Sequence, residues 1–246
     1  MSNIKVAVLN ASTVLNDGDV DKVVPALQKQ VHRDFAPAWG VDADLVFVPK
    51  GSAPPSGAWW LTILDNSDVA DALGYHDLTD QGLPLGKVFA GTDLQSGNQW
   101  SVTASHELLE MLADPDINLG AYVDQPGGGI KLYAYEVCDP CEADAFGYKI
   151  DGTPLSDFVF PAWFESFRET GGTQFDQRGR ITAPFQLLAG GYIGVYESRS
   201  GNGWTQITAM EKGRLFSMRA PVGSRRERRR TPREQWLKSE TKRRKR

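Results

Sequence analysis

Apolar positions along this chain follow two periods. Residues 4–9 are almost continuously apolar, which predicts a buried strand. After the polar stretch 10–19, Val20, Val23, Val24, Leu27, Val31 and Phe35 recur at helical spacing. They predict a long amphipathic helix that starts near Asp19 or Asp21, bends at Pro25 and ends at Gly40. Residues 45–48 and 59–64 read as strands separated by Pro54, Pro55 and Gly57, and residues 88–90 as a short strand. Residues 102–113 return to the helical period and are closed by Asp114-Pro115.

The second half reads as mostly β. Residues 130–137 follow the turn Gly127-Gly128-Gly129 as a strand. Residues 148–150 and 158–160 are expected to flank a hairpin at Asp151-Gly152, and residues 161–167 to form a short helix. Residues 185–188, 192–196 and 204–207 read as strands joined by glycine-rich turns.

The 102–113 helix carries the chemistry. Its segment SHELLEML (residues 105–112) sets His106 and Glu110 four apart, on one helix face, with Glu107 adjacent. On a helical projection Val102, Leu108, Leu109 and Leu112 form an apolar sector with Met111 at its edge. Thr103, His106, Glu107, Glu110 and Asp114 lie opposite. Spacing alone describes an amphipathic helix with a solvated polar face. Two features point elsewhere. The chain has only three histidines, and one is here; and the face stacks His106, Glu110 and Asp114 without a basic residue. Carboxylates that close repel one another, and a cation relieves the repulsion.

Charge divides the chain in two. Residues 1–223 hold 15 basic against 28 acidic side chains, whereas residues 224–246 hold 12 against three. A basic tail on an acidic body points to nucleic acid, an acidic protein surface or a membrane as its partner. Trp236 is the tail's single aromatic residue, which argues against stacking on bases. Thr231-Pro232-Arg233-Glu234 fits the start of a capped helix running from Pro232 to about Arg244. No apolar stretch approaches the roughly 18–20 residues of a membrane span, and the opening run is too short and strand-like for a cleavable signal peptide. The expected location is the cytoplasm or the interior of a virion or injection particle.

Two cysteines, Cys138 and Cys141, flank Asp139-Pro140. One such pair cannot build a four-cysteine zinc site, which leaves a local disulfide, two free thiols or ligation of zinc by one or both thiolates. His32, beside Arg33 on the first helix, reads as a surface residue, and no nucleophile elbow or phosphate-binding loop is present.

His106-Glu107-Leu108-Leu109-Glu110 resembles the H-E-x-x-H motif of the zincin metallopeptidases, with a glutamate in place of the second histidine. Zincins place a mixed sheet and a backing helix before the active-site helix, and a variable lower half with the third metal ligand after it; residues 4–113 resemble that order. On the extended metzincin pattern, Ala113 takes the glycine position and Asp116 the third-ligand position. The strings SHELLEMLADP, YEVCDPCEADAF and FVFPAWF also resemble an uncharacterised family of bacterial and phage-associated proteins, over most of residues 1–210.

These resemblances imply an α+β protein: a zincin-like subdomain at 1–115, a mostly β subdomain at 116–223 and the basic tail at 224–246. They imply a metal-dependent, peptidase-like hydrolase acting on a peptide or protein, or a relative that has lost catalysis. His106 and Glu110 are the expected metal ligands, Glu136 or Asp139 completes the set, and Glu107 is the catalytic base. Asp114 and Asp116 are further candidates for the third ligand, and His76 for a fourth ligand or a transition-state donor. Zn²⁺ is the expected ion, and a carboxylate-rich set also suits Mn²⁺ or Ca²⁺. The alternative is a non-enzymatic phage or injection-particle assembly or cargo protein, whose basic tail binds nucleic acid or an acidic partner.

Overall fold

The computed structural model describes residues 4–68 and 72–209. The basic segment 224–246, with its expected helix, lies outside the described residues. The protein is mixed α+β, with several sheets and few helices.

The first half builds a five-stranded sheet from β1 (Ile4–Asn10), β2 (Ala43–Val48), β3 (Trp59–Leu64), β4 (Gly74–Leu78) and β5 (Pro84–Phe89). Its order is β2-β1-β3-β5-β4; β1, β2, β3 and β5 run parallel, and β4 runs antiparallel to β5 along one edge. Side chains alternate across the central strand, as a period of two requires. Val6 and Val8 enter the main core, while Ala7 packs on the other face with Val48 and Ala58.

Between β1 and β2 the expected single helix is divided. α1 (Asp17–Asp21) opens on a capping box between Asn16 and Asp19. α2 (Val24–Lys29) restarts with Pro25 in its first turn, where a missing N–H costs least. Residues Gln30–Phe35 then widen into a π turn before α3 (Ala36–Trp39), whose first turn holds Pro37. The wide turn moves the Arg33 carbonyl away from the proline ring that would otherwise clash with it. Gly40 ends the run in the left-handed region at φ 70°, as the sequence predicts. The buried face of this broken helix still carries Val20, Leu27, Val31 and Phe35, so the periodicity was obeyed across the breaks.

β5 leads into α4 (Ala90–Ser96) and α5 (Trp100–Ala113). α5 lies on the main-core face of the sheet, against β3, β4 and β5, and touches the later β9 on its other side. The second half builds an antiparallel sheet in the order β11-β10-β7-β6 from β6 (Gly120–Asp124), β7 (Ile130–Ala134), β10 (Tyr192–Glu197) and β11 (Trp204–Thr208). A small hairpin joins β8 (Tyr148–Ile150) to β9 (Thr153–Leu155) through Asp151 and Gly152, both at positive φ.

Four expectations are corrected. The partner of β8 is β9 rather than residues 158–160, which pack as a buried segment with one isolated bridge, Val159 to Asp176. Residues 185–188 form no strand: Phe185 stands at φ 56° and wedges between Tyr133 and Trp163, at centroid distances of 4.2 and 5.3 Å. Residues 161–167 hold only a 3-10 turn, Pro161–Phe164. Strands β4 and β6 and helix α4 arise where the apolar pattern is silent. One continuous buried cluster links both halves, from Val6 and Leu27 through Leu108 to Phe158, Trp163 and Val195. Among the described residues no helix is long and apolar enough to cross a membrane.

Candidate metal centre

α5 is buried on every side: residues 101–113 are all inaccessible or nearly so. The polar face is therefore not solvated, which overturns the simplest reading of its spacing. β4 and the segment 136–141 cover it. Glycine makes this approach possible. A Cβ on Gly74 would stand 2.7 Å from Glu107 Cγ and Oε1 and 2.8 Å from Thr103 Cγ2. One on Gly86 would meet Leu61 Cδ1 at 2.8 Å. β4 and β5 thus meet the helix with almost no side chain between.

A buried polar triangle fixes the helix from the other side. Ser105 Oγ donates to Gln30 Oε1 at 2.6 Å and accepts from the Ser156 amide at 3.1 Å. Gln30 Nε2 closes the loop on the Ser156 carbonyl at 2.9 Å. The π turn, α5 and the residues after β9 are held together by these bonds, so the rotation of α5 about its axis is set before any ligand arrives.

On that face His106 Nε2 lies 3.4 Å from Glu110 Oε2 and 3.2 Å from Asp139 Oδ1. Glu110 Oε1 accepts the backbone N–H groups of Cys138 (3.1 Å) and Asp139 (3.4 Å), which ties the carboxylate to the turn carrying Asp139. His76, on β4, sets Nδ1 3.7 Å from Glu110 Oε2 and 3.8 Å from Glu107 Oε2, and Nε2 3.8 Å from Glu136 Oε2. Two sets of potential metal donors result, His106–Glu110–Asp139 and His76–Glu110–Glu136, each with its donor atoms within 4.8 Å of one another. The side chains of His106 and Asp139 are 9% and 6% exposed, that of His76 not at all, so the first set lies nearer solvent.

The 3-10 turn Asp139–Cys141 is braced by β10. The Leu188 amide donates to the Pro140 carbonyl at 2.9 Å, and a Cβ on Gly191 would lie 2.3 Å from that oxygen, so only glycine fits. The next residue, Tyr192, lies beside Asp139 and favours its ionised form.

Electrostatics in this space are severe. Burial alone would lower the His106 pKa, but Glu110, Asp139 and Glu107 outweigh it and raise the imidazole well above its ordinary value. Burial and the neighbouring Glu110 push Asp139 up to about 6, against the pull of His106 and Tyr192. The Tyr192 hydroxyl is raised by burial and by the nearby carboxylates. Cys138 and Cys141 are free, buried and raised well above the usual thiol range, chiefly by burial. They are neutral thiols here, and neither belongs to a donor set.

The residues fit a divalent ion on chemical grounds. Four carboxylates, Glu107, Glu110, Glu136 and Asp139, share one buried space with two imidazoles. Even with both imidazoles protonated the group carries net negative charge, which is costly away from water. The spacing agrees. Donors bound tetrahedrally to one ion at about 2.1 Å stand about 3.4 Å apart, whereas N–H···O hydrogen bonds fall at roughly 2.7–3.2 Å. The His–carboxylate separations of 3.2–3.8 Å lie at or beyond the upper end of the hydrogen-bond range.

Of the residues expected from sequence, His106, Glu110 and Asp139 come together, and Glu136 lies on the far side of Glu110 with His76. Glu107 faces His76. Asp114 and Asp116 belong to neither donor set: Asp114 accepts the amides of Asn118 and Leu119 at 3.0–3.2 Å and closes the turn after α5, and Asp116 is exposed. His32 is exposed as expected, beside Asp42. Sequence reasoning missed Tyr192, for which no local signal exists, and gave His76 only a supporting place because its strand went unrecognised. Comparison with known protein families, with curated proteins and with solved structures finds no match.

Proposed function

We propose that this chain binds a divalent metal ion between His106, Glu110 and Asp139 as the centre of a peptidase-like hydrolase, with Glu107 as general base. The observation that carries the reading is the convergence of His106 Nε2, Glu110 Oε2 and Asp139 Oδ1 at the less buried edge of the cluster. The resemblance to zincins adds support: a mixed sheet, a backing helix and the motif helix follow one another within residues 4–113. One imidazole and two carboxylates suit Zn²⁺ or Mn²⁺.

An ion held there supplies Lewis acidity toward water and a substrate carbonyl. The chain's residues supply the rest. Glu107, next to His106 on α5, takes a proton from the attacking water and returns it to the leaving amine. His76 Nδ1 faces that carboxylate at 3.8 Å, beyond the range of a direct hydrogen bond. Tyr192, beside Asp139, favours the ionised form of that carboxylate. Substrate reaches the cluster from the His106–Asp139 edge, which is its most exposed part.

The near-complete burial of the donors favours a second reading of the same residues, in which the ion is held for structure and catalysis has been lost. Two measurements separate these readings. Elemental analysis of the purified protein should find a divalent ion in wild type and not in His106→Ala; an ion-free wild type rejects the site. A peptide-library assay should show hydrolysis that Glu107→Gln abolishes while the ion is retained. An ion-loaded wild type without hydrolysis supports the structural reading. For residues 224–246, charge alone supports an acidic partner such as nucleic acid; their removal should abolish salt-sensitive DNA retention.

A further inference from the structure

We infer that the cluster takes two divalent transition-metal ions, the second bound by His76, Glu136 and Glu110, with Glu110 Oε2 shared between them. The inference rests on the metal-binding reading above and extends it from one ion to two.

The two oxygens of Glu110 do different work. Oε1 is engaged by the Cys138 and Asp139 amides, at 3.1 and 3.4 Å. Both imidazoles approach the other oxygen: His106 Nε2 stands 3.4 Å from Oε2 and His76 Nδ1 stands 3.7 Å from it. A carboxylate oxygen between two imidazoles, with its twin anchored to backbone, is placed to bridge two ions rather than to chelate one.

Glu136 and Asp139 divide in the same way. In sequence they are alternatives for one ligand position. In the structure each has its own histidine, Asp139 Oδ1 at 3.2 Å from His106 Nε2 and Glu136 Oε2 at 3.8 Å from His76 Nε2. The segment 136–139 therefore contributes one carboxylate to each side of Glu110.

Separation and charge agree with this division. The His76 contacts, at 3.7 and 3.8 Å, are too long for N–H···O bonds. A single His76 nitrogen binds the ion; one donor atom each from His76, Glu110 and Glu136 lie within 4.8 Å of one another, a span that a modest closure of the side chains brings to about 2.1 Å from a common ion. With neutral imidazoles the four buried carboxylates carry four negative charges, which two divalent ions balance and one does not. An imidazole with two carboxylates selects Zn²⁺ or Mn²⁺ over Ca²⁺, which prefers oxygen throughout. Bridging through one oxygen sets the ions about 3.5–4 Å apart, the spacing of two-metal hydrolytic centres. The inner ion, beside the fully buried His76, should exchange more slowly than the outer one.

The test is ion stoichiometry on the full chain, loaded with Zn²⁺ or Mn²⁺ and freed of excess metal. Wild type should retain two ions per chain, and His76→Gln and Glu136→Gln one each. The Mn²⁺ form should give an exchange-coupled electron paramagnetic resonance spectrum, replaced in those variants by the six-line spectrum of an isolated ion. One ion in wild type, kept by His76→Gln and lost from His106→Gln, overturns the inner site and leaves the outer one standing. No ion in wild type removes both. The wild-type count needs no variant to fold, so the inference stands or falls even if His76→Gln does not.

Discussion

Asp157 and Asp176 form a second buried acidic pair, apart from the cluster proposed to hold metal. Asp157 Oδ1 accepts the amides of Phe158 (2.8 Å) and Arg178 (3.2 Å), and Asp176 accepts those of Arg180 (3.0 Å) and Ile181 (2.9 Å). Burial, then the charge of nearby Asp176, push Asp157 up to about 8. A proton held on Asp157 explains how both remain inside. The folded chain holds this proton between about pH 4 and about 8, where an unfolded chain has released it. Its contribution to stability is thus complete below about pH 4 and is lost as pH rises through about 8. Asp157→Asn keeps a donor toward Asp176 but no longer titrates. Resistance of wild type to urea unfolding should fall between about pH 5 and about pH 9, and Asp157→Asn should show a flatter profile. Equal slopes in the two proteins would show that Asp157 does not hold the proton. Neither this pair nor Tyr192 was legible in the sequence, because each depends on residues that only the fold brings together. His106 and Glu110 were legible because helical spacing alone places them on one face.

The same contrast runs through the elements. β1 is buried on both faces at its centre and β3 is buried on one face and half-buried on the other, so their apolar runs were readable. β4 reads Gly-Tyr-His-Asp-Leu and forms an edge; His76 is buried against α5 and the cluster, and Tyr75 on the other face against Phe89, not by an apolar period. α5 was readable as a helix, yet its period could not reveal that the polar side is covered, since the cover comes from β4 and from residues 136–141. Gly74 is where that cover is tightest. In Gly74→Ala the new methyl must displace Glu107 and Thr103, which are themselves buried and have no solvent to move into. We expect a loss of about 1–3 kcal/mol from overpacking, together with weaker ion retention. Gly86→Ala presses on the end of Leu61 and stands 3.6 Å from Glu107 Cβ, an ordinary contact, so it should leave the carboxylate in place and keep the ion. Thermal melts and metal analysis of both variants check this; equal ion retention would show that β4 does not shape the site.

At the scale of the whole molecule the donors come from both halves of the chain. His76, His106, Glu107 and Glu110 belong to the parallel-sheet half, Glu136 and Asp139 to the segment that follows β7 of the antiparallel half. The two halves already share a continuous core, and Glu110 adds hydrogen bonds to two amides across the junction. An ion in this place acts as a cross-link formed only in the native state, because unfolding separates its ligands. Free energy then follows mass action: ion at a hundred times its dissociation constant stabilises the fold by about 2.7 kcal/mol. For a chain of this length that corresponds to about 5–10 °C in melting temperature. Since the ligands span the junction, both halves should shift together in one transition, followed by tryptophan fluorescence and by far-ultraviolet circular dichroism. A chelator should reverse the gain in wild type and have little effect in His106→Ala. A chelator-sensitive transition seen by only one probe would mean that the ion braces one half alone. Coincident shifts would make the cluster the fastener that joins the motif helix to the β-rich half.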